Sequence, residues 1–311
     1  MSCAQSVVIE ETLTLADLER AKNVPVRPLA TAEAFDTGLR AADEFLKWCV
    51  TPFLDTLTVP SLQEQALVSL HHRIRGFLRT ALALPATQYV QSLVAAARSG
   101  IELYVDMKLL DGGLIEDGLK KFWYFTDTQR LKAARRITEF YLKHPDLRSR
   151  PLDQLTEYIK EFGPAIDERT GQLWGIKKSG APKAPAHWSG LNLRARARLV
   201  SPECEDLVID GYDYRNWLVH SGASGIAGLS RDTLEVLSAT SLRALHRAAL
   251  GSIEILASRL RLSVALDGFN EQFHVVEHVP DFVLADLQLR SLGEPQRVRV
   301  RFIKDKPGAS T

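Results

Sequence analysis

Residues 86–110 constrain the fold most, because they are apolar on nearly every side of a helix. The apolar side chains of this stretch include Val90, Leu93, Val94, Ile101, Leu103 and Val105. A helix that is hydrophobic all round must be covered by other elements on all sides. Gly112 and Gly113 follow as a stop signal. We therefore predict that this helix is the central element of a helical bundle.

Other segments show the same helical spacing of apolar residues. They are residues 31–50, 61–84, 114–143, 152–162, 193–200, 203–221 and 230–262. Ser61 and Glu64 form the pattern of a capping box at the start of one of them. After residue 262 the period changes to two residues, over 282–290 and 296–302, which is typical of strands. The predicted fold class is mainly α, with six to eight helices and a C-terminal β-hairpin.

We predict three regions along the chain. Residues 1–30 form an N-terminal arm, residues 31–262 a helical domain and residues 263–311 the β-hairpin element. Within the helical domain, residues 165–192 are rich in Gly, Pro and Lys, and Gly163-Pro164 breaks the preceding helix. This composition predicts a long basic surface loop.

Composition narrows the class of protein. Hydrophobic residues make up 45% of the chain and charged residues 25%, as in soluble globular proteins. The net charge of +1 means that nucleic-acid binding must come from local patches. Cys3, Cys49 and Cys204 are far apart and form no CxxC pattern, which argues against a disulfide framework or a zinc site. With no signal peptide and no long apolar run, we expect a cytoplasmic protein without a membrane segment.

The candidate catalytic residues are Arg215, Asn216 and His220, which fall on one side of a helix. Tyr214 and Trp217 fall on the opposite side and form a stripe that can be buried. Asn216 and His220 are neighbours at i, i+4, and the long guanidinium of Arg215 can swing towards them. By chance this arrangement is expected roughly 0.01 times in such a chain. The three groups are placed to converge on one anionic group.

Arg215-Asn216-x-x-x-His220 resembles the signature of the HEPN superfamily of helical proteins, an arginine, a polar residue, a short spacer and a histidine. The resemblance covers about residues 85–262. It implies a HEPN-like helical bundle. Members that keep the signature are typically metal-independent endoribonucleases, many of them toxins or antiviral effectors, and they act as dimers. The resemblance therefore implies RNA as the partner, a homodimer formed through the motif helix, and no cofactor or metal.

Supporting residues come from a second resemblance. Arg98 and Glu102, with Tyr214 and the Val219-His220 pair, are similar to the motifs of an uncharacterised bacterial family of helical proteins. Arg98 and Glu102 form an i, i+4 pair on the central helix, where charges are costly unless they have partners. One interpretation is an internal ion pair that stabilises the bundle. The other is that Glu102 orients His220 or Arg215.

Candidate RNA-binding residues follow the predicted loop. They are Lys177, Lys178, Lys183, Arg194, Arg196 and Arg198. Aromatic residues flank them, at Trp174, His187 and Trp188. Cations interleaved with aromatic rings can hold single-stranded RNA through phosphates and bases. The alternative is an ordered surface crossing whose tryptophans pack on the bundle.

Two other segments of the sequence contain regularly spaced histidines or arginines. His71, Arg75 and Arg79 lie along one edge of a helix, which predicts either a phosphate-binding ridge or a solvated face. His274 and His278 are four residues apart in a segment without helical periodicity, so we expect no metal pair there. The sequence has no P-loop, no Gly-rich nucleotide fingerprint and no His-Glu-x-x-His motif.

Two functions therefore compete. The first is a metal-independent endoribonuclease that cleaves RNA by attack of the ribose 2′-hydroxyl, which needs a base, an acid and a cation at the phosphate. Histidine and arginine can supply these groups. The second is a non-catalytic sensor, scaffold or binding module in a defence or regulatory system. In that case Arg215 and His220 pair with carboxylates such as Glu102 or Asp213.

Overall fold

The computed structural model describes residues 2–3, 6–58, 60–84, 89–147, 152–211 and 230–303. In chain order its elements are β1 (Val7–Glu11), α1 (Leu15–Lys22), α2 (Pro28–Phe45), α3 (Thr51–Leu54), α4 (Leu62–Ala83), α5 (Val90–Asp111), α6 (Gly118–Lys143), α7 (Leu152–Trp174), α8 (Leu193–Val200), α9 (Pro202–Gly211), α10 (Arg231–Arg259), α11 (Leu262–Ala265), α12 (Phe269–Arg290) and β2 (Val298–Phe302). The mainly α fold class is confirmed. The described helices are too short or too polar to cross a membrane.

The chain divides into two compact units, Met1–Asp111 with Val200–Thr311, and Gly112–Leu199. In the first unit α5 packs against α4, α9 and α10, as predicted for a central helix. Helix α2 packs against α10 and α12 on another side. Helix α5 and helix α10 approach closely because both present glycine, Gly100 against Leu245 and Gly251 against Tyr104.

The second unit is built on the packing of α6 against α7. The hydroxyl groups of Thr128 and Thr170 hydrogen bond at 3.0 Å in its interior. Helix α7 continues through Gly163 and Pro164, so the predicted break there is wrong. Residues 165–174 are helical, and the basic loop spans 175–192 rather than 165–192. Gly163 is buried against Leu131 of α6, where a larger side chain would meet neighbouring atoms.

A small antiparallel sheet joins the first and last described segments. Val7 pairs with Phe302, and Glu11 pairs with Val298. The strand predicted at 296–302 is therefore confirmed as β2. The strand predicted at 282–290 is wrong, because this segment belongs to α12. The partner of β2 is β1, from the region predicted as an arm.

The Cys3–Cys49 disulfide corrects the expectation from cysteine spacing. The two residues are bonded across 46 positions, with their Cα atoms 4.8 Å apart. Cys49 lies in a π-helical turn, Leu46–Val50, that links α2 to α3. Cys204 is a buried thiol. Spacing along the chain could not reveal this pair, since only the fold brings Cys3 beside α2.

Candidate functional site

The Arg-Asn-x-x-x-His motif follows α9 directly in the sequence. Residues 212–229, which include Tyr214, Arg215, Asn216 and His220, lie outside the described residues. Helix α9 ends at Gly211, and α10 begins after Ser230, whose hydroxyl accepts from the Thr233 backbone N–H at 3.2 Å. The structure thus defines the helices on both sides of the motif.

Helix α9 is fixed at both its start and its inner face. The hydroxyl of Ser201 accepts a hydrogen bond from the Cys204 backbone N–H at 3.2 Å, as an N-cap. Cys204, Leu207 and Val208 are buried, and the helix packs on α5 and α10. The chain therefore enters the motif from a helix anchored on the central helix.

The charged residues of α5 lie at helical spacing on this same central helix. Arg98 and Glu102 are half-buried, and Asp106, one turn further on, is 4% exposed. None of the three lacks an interaction partner. Asp106 was not among the predicted supporting residues, although its i, i+4 spacing from Glu102 was visible in the sequence.

A second polar group links α5, α9 and α10. The Nζ atom of Lys108 lies 5.6 Å from the centre of the Tyr104 ring. Burial raises the pKa of the Tyr104 hydroxyl, and the nearby Cys204 and Glu254 raise it further. Burial also raises the pKa of the Cys204 thiol. Both groups therefore stay neutral at physiological pH, and a neutral thiol is a poor nucleophile.

The basic loop forms an ordered turn in the second unit. The Lys177 N–H donates to the Ala181 carbonyl at 2.7 Å, and the Gly180 N–H donates to the Lys177 carbonyl at 2.9 Å. Lys177, Lys178 and Lys183 are exposed on it. These lysines form a cationic edge of residues 175–192.

The arginines after the loop do not share one surface. Arg194 and Arg198 are exposed on α8, whereas Arg196 is 2% exposed. The Arg196 Nη1 atom lies 2.8 Å from His187 Nε2. A guanidinium can only donate, so His187 Nε2 accepts there, while His187 Nδ1 lies 2.9 Å from the Ser189 hydroxyl and 3.2 Å from the Ser189 backbone nitrogen. Arg196 therefore anchors the loop, and its buried position does not suit a phosphate contact.

The aromatic residues of the loop pack inward. Trp188 is 3% exposed and meets the ring of Phe122 edge-on at 5.8 Å. The indole N–H of Trp174 donates to the Trp188 carbonyl at 2.8 Å, and its ring contacts Phe125. These two tryptophans match the docked-loop alternative and are not presented for base stacking.

The predicted ridge on α4 is not continuous. His71 is buried, and its Nδ1 atom lies 2.9 Å from the Ser252 hydroxyl. Arg75 donates to Asp43 at 3.0 Å, and Arg79 lies 3.7 Å from the same carboxylate. The histidine belongs to the core and both arginines face a carboxylate, so the phosphate-binding interpretation is not supported.

An open groove of about 340 Å³ lies beside this pair of arginines. It is lined by Arg40, Asp43, Glu44, Arg79, Leu82, Ala83 and Phe302. Two basic and two acidic side chains line it, and Arg79 lies 3.7 Å from Asp43 within it. The groove therefore has no surplus charge that selects a ligand.

Sequence reasoning also missed a cluster on α12. His274 and His278 lie on this helix, so the non-helical interpretation of their segment is wrong. Together with Glu277 they form a group whose ligand atoms all lie within 4.8 Å of one another. The His-x-x-Glu-His spacing was the available signal.

Comparisons of the chain with protein-family models, curated proteins and solved structures found no match.

Proposed function

We propose that this protein is a metal-independent endoribonuclease of HEPN type that cleaves RNA by attack of the ribose 2′-hydroxyl. The observation that carries the proposal is the Arg215-Asn216-x-x-x-His220 motif, which follows directly after the anchored helix α9. Helix α9 packs on α5, the helix of Arg98 and Glu102. Tyr214 belongs to the same motif stretch.

The proposed chemistry divides the work between two kinds of group. The imidazole of His220 moves a proton, as base or as acid. The guanidinium of Arg215 gives two parallel hydrogen bonds to the non-bridging phosphate oxygens, and Asn216 orients the imidazole or the ribose. One histidine cannot easily take both proton roles. A homodimer that brings two motif helices together supplies the second histidine.

The proposed RNA path uses the exposed cations of the second unit. Lys177, Lys178 and Lys183 are exposed on the loop, and Arg194 and Arg198 are exposed on α8. Each phosphate that such a group neutralises releases counterions, which makes binding dependent on salt. Arg196 is omitted from this set because it is buried against His187.

We expect His220→Ala to abolish cleavage of RNA in EDTA and Arg215→Lys to impair it severely. An ammonium keeps the charge but cannot give the bidentate contact. The measurement is incubation of purified protein with total RNA, followed by detection of 2′,3′-cyclic phosphate ends.

The matched control is His144→Ala, which removes an exposed histidine of the other unit. This variant should cleave as wild type does. Melting temperatures show whether each variant is folded. Full cleavage by folded His220→Ala would contradict the proposal.

The second candidate is a non-catalytic binding module. Its specific support is the partial burial of Arg98 and Glu102 and the inward packing of Trp174 and Trp188, which suit structural roles. A wild-type protein that binds RNA or a partner without cutting any RNA would favour it.

The endoribonuclease proposal assigns the protein to the cytoplasm, as a toxin or an antiviral defence effector.

A further inference from the structure

Helix α12 carries a cluster of metal-ligating side chains on its outer face. His274, Glu277 and His278 follow the pattern His-x-x-Glu-His, and Asp281 lies one turn further on. Val276 and Val279 are buried on the inner face. On a helix, histidines four residues apart lie on one face, one turn apart, where both can reach the same ion.

The distances in the cluster converge on Glu277. Its Oε2 atom lies 4.0 Å from His274 Nδ1 and 3.8 Å from His278 Nε2. The two imidazole rings are 4.4 Å apart and nearly perpendicular. Two nitrogens and one carboxylate oxygen are thus directed at a common space above the helix.

This spacing suits a zinc ion after small side-chain rotations. Zinc binds nitrogen and oxygen ligands at about 2.0–2.2 Å, so tetrahedral ligand atoms lie roughly 3.3 Å apart. The distances of 3.8 and 4.0 Å exceed this by less than 1 Å. The His274 side chain is 72% exposed and free to rotate towards the other two.

A second carboxylate orients one of the ligands. Asp281 Oδ2 lies 3.3 Å from His278 Nδ1, on the side of the ring away from Nε2. A carboxylate that accepts the other ring N–H fixes the tautomer of a metal-bound histidine and raises its basicity. With Nδ1–H donating to Asp281, Nε2 presents its lone pair on the side of Glu277.

We propose that His274, Glu277 and His278 form a site for Zn²⁺ or a similar late first-row divalent ion. The three ligands leave one tetrahedral position open for water or an external donor, since Asp281 is engaged with His278. The site lies on α12, away in sequence from the residues 212–229 that contain the ribonuclease motif. It goes beyond the proposed function, because the RNA cleavage proposed for that motif uses no metal.

The test is zinc binding by the full chain, purified without reductant so that Cys3–Cys49 stays oxidised. The protein is treated with a chelator, dialysed, and titrated with Zn²⁺ against a chromophoric competitor. We expect one zinc per chain with micromolar affinity. His274→Ala and His278→Ala should each weaken binding at least 10-fold, and Asp281→Asn should weaken it roughly 10- to 100-fold.

The control is His144→Ala, which should bind zinc as wild type does. Because the altered side chains are exposed or half-buried on the outer face of α12, each variant should keep the wild-type melting temperature without metal. The visible spectrum of the Co²⁺ form gives a second readout of nitrogen ligation. Unchanged zinc affinity in the His274→Ala/His278→Ala double variant, or no zinc binding by wild type, would overturn the proposal.

Discussion

At Gly251 the backbone of α10 lies against the ring of Tyr104 on α5. A Cβ atom placed there would stand 2.6 Å from Tyr104 Cζ, well inside contact distance. We expect Gly251→Ala to destabilise the fold by about 1–3 kcal/mol, because the ring must move within a packed interface. Urea unfolding measures the change.

Gly76 of α4 offers a matched control. A Cβ atom there meets nothing within 4 Å. Gly76→Ala should stabilise the protein by about 0.5–1 kcal/mol, since alanine loses less conformational freedom in a helix. If the two variants behaved alike, the close approach of α5 and α10 would not be what fixes Gly251.

Two buried histidines make the stability depend on pH. Burial lowers the pKa of His71 to about 3, helped by the charges of His72 and Arg75. Burial likewise lowers the pKa of His246 to about 4. At pH values between these pKa values and 6.5, the two histidines bind protons in the unfolded chain but not in the folded chain. Their contribution to stability is therefore complete above about pH 6.5 and is lost as the pH falls.

We expect the free energy of unfolding to fall by up to about 1.4 kcal/mol per pH unit for each of these histidines below pH 6.5. The measurement is urea unfolding at about pH 7.5 and about pH 5. His246→Leu cannot titrate, so its difference between the two pH values should be smaller by about 2 kcal/mol. His144→Gln, at an exposed position, should keep the wild-type difference. An equal pH dependence in His246→Leu would contradict this assignment.

The burial of Arg196 could have been predicted from the sequence. Residues 193–200 are predicted and observed as a helix, and two steps along a helix turn the side chain by about 200°. Arg194 and Arg198 therefore share one side while Arg196 faces the other. The contact with His187, in contrast, depends on how the loop folds back and has no signal in the sequence.

At the scale of elements, the helix starts are predictable where a side chain satisfies the backbone. Ser61 caps α4 with a complete capping box, in which Glu64 accepts from the Ser61 N–H at 2.6 Å. The Ser230 hydroxyl caps α10 by accepting from the Thr233 backbone N–H. Such signals are local, so the sequence contains them in full.

The error at 282–290 has a physical cause in buried polar residues. Asp286 is 4% exposed and accepts from the backbone N–H groups of Arg297 and Val298, at 2.6 and 3.1 Å. Gln272 accepts from Ser6 N–H at 3.0 Å in the same way. A pattern analysis assigns Asp and Gln to the solvent side, and here both support the sheet from the buried side of α12. Ser6 lies 266 residues from Gln272, so that contact had no local signal, whereas Arg297 lies only 11 residues from Asp286.

The disulfide holds the segment before β1 against the end of α2. We expect Cys3→Ser to lower the free energy of unfolding by about 2–4 kcal/mol, because the open chain gains conformational freedom over a loop of this length. Urea unfolding without reductant measures the loss. Cys204→Ser removes a buried thiol without opening a loop, so its cost should not depend on added reductant. A reductant that left wild-type stability unchanged would contradict the prediction.

At the scale of the whole molecule, the sequence predicted the helical class and the central α5 but not the two compact units. The first unit joins residues before 112 with residues after 199, a long-range closure that no local pattern encodes. The motif at Arg215 and His220 remains a prediction from the sequence. The structure adds α9, the helix that leads into the motif, and three charged residues of α5, which are Arg98, Glu102 and Asp106.

The homodimer is a prediction at this scale. If each active centre uses a histidine from both copies, adding an excess of folded His220→Ala chains to the wild type should lower its activity. Mixed dimers would hold one histidine and would lack the second proton-transfer group. Sedimentation velocity on the wild type should show a species of twice the chain mass. A monomer with full activity would contradict the dimer.

The pairing of β1 with β2 also determines how the molecule responds to a pulling force. Val7 and Phe302 face each other at the end of the ladder that is nearest both outer segments. A force that pulls on the chain after Phe302 therefore separates the paired residues of β1 and β2 one pair at a time. It does not load all the hydrogen bonds of the sheet at once. A force that pulls on the chain before Cys3 passes through the Cys3–Cys49 disulfide and so bypasses β1. Under load the sheet should yield first, while the packed helices still hold.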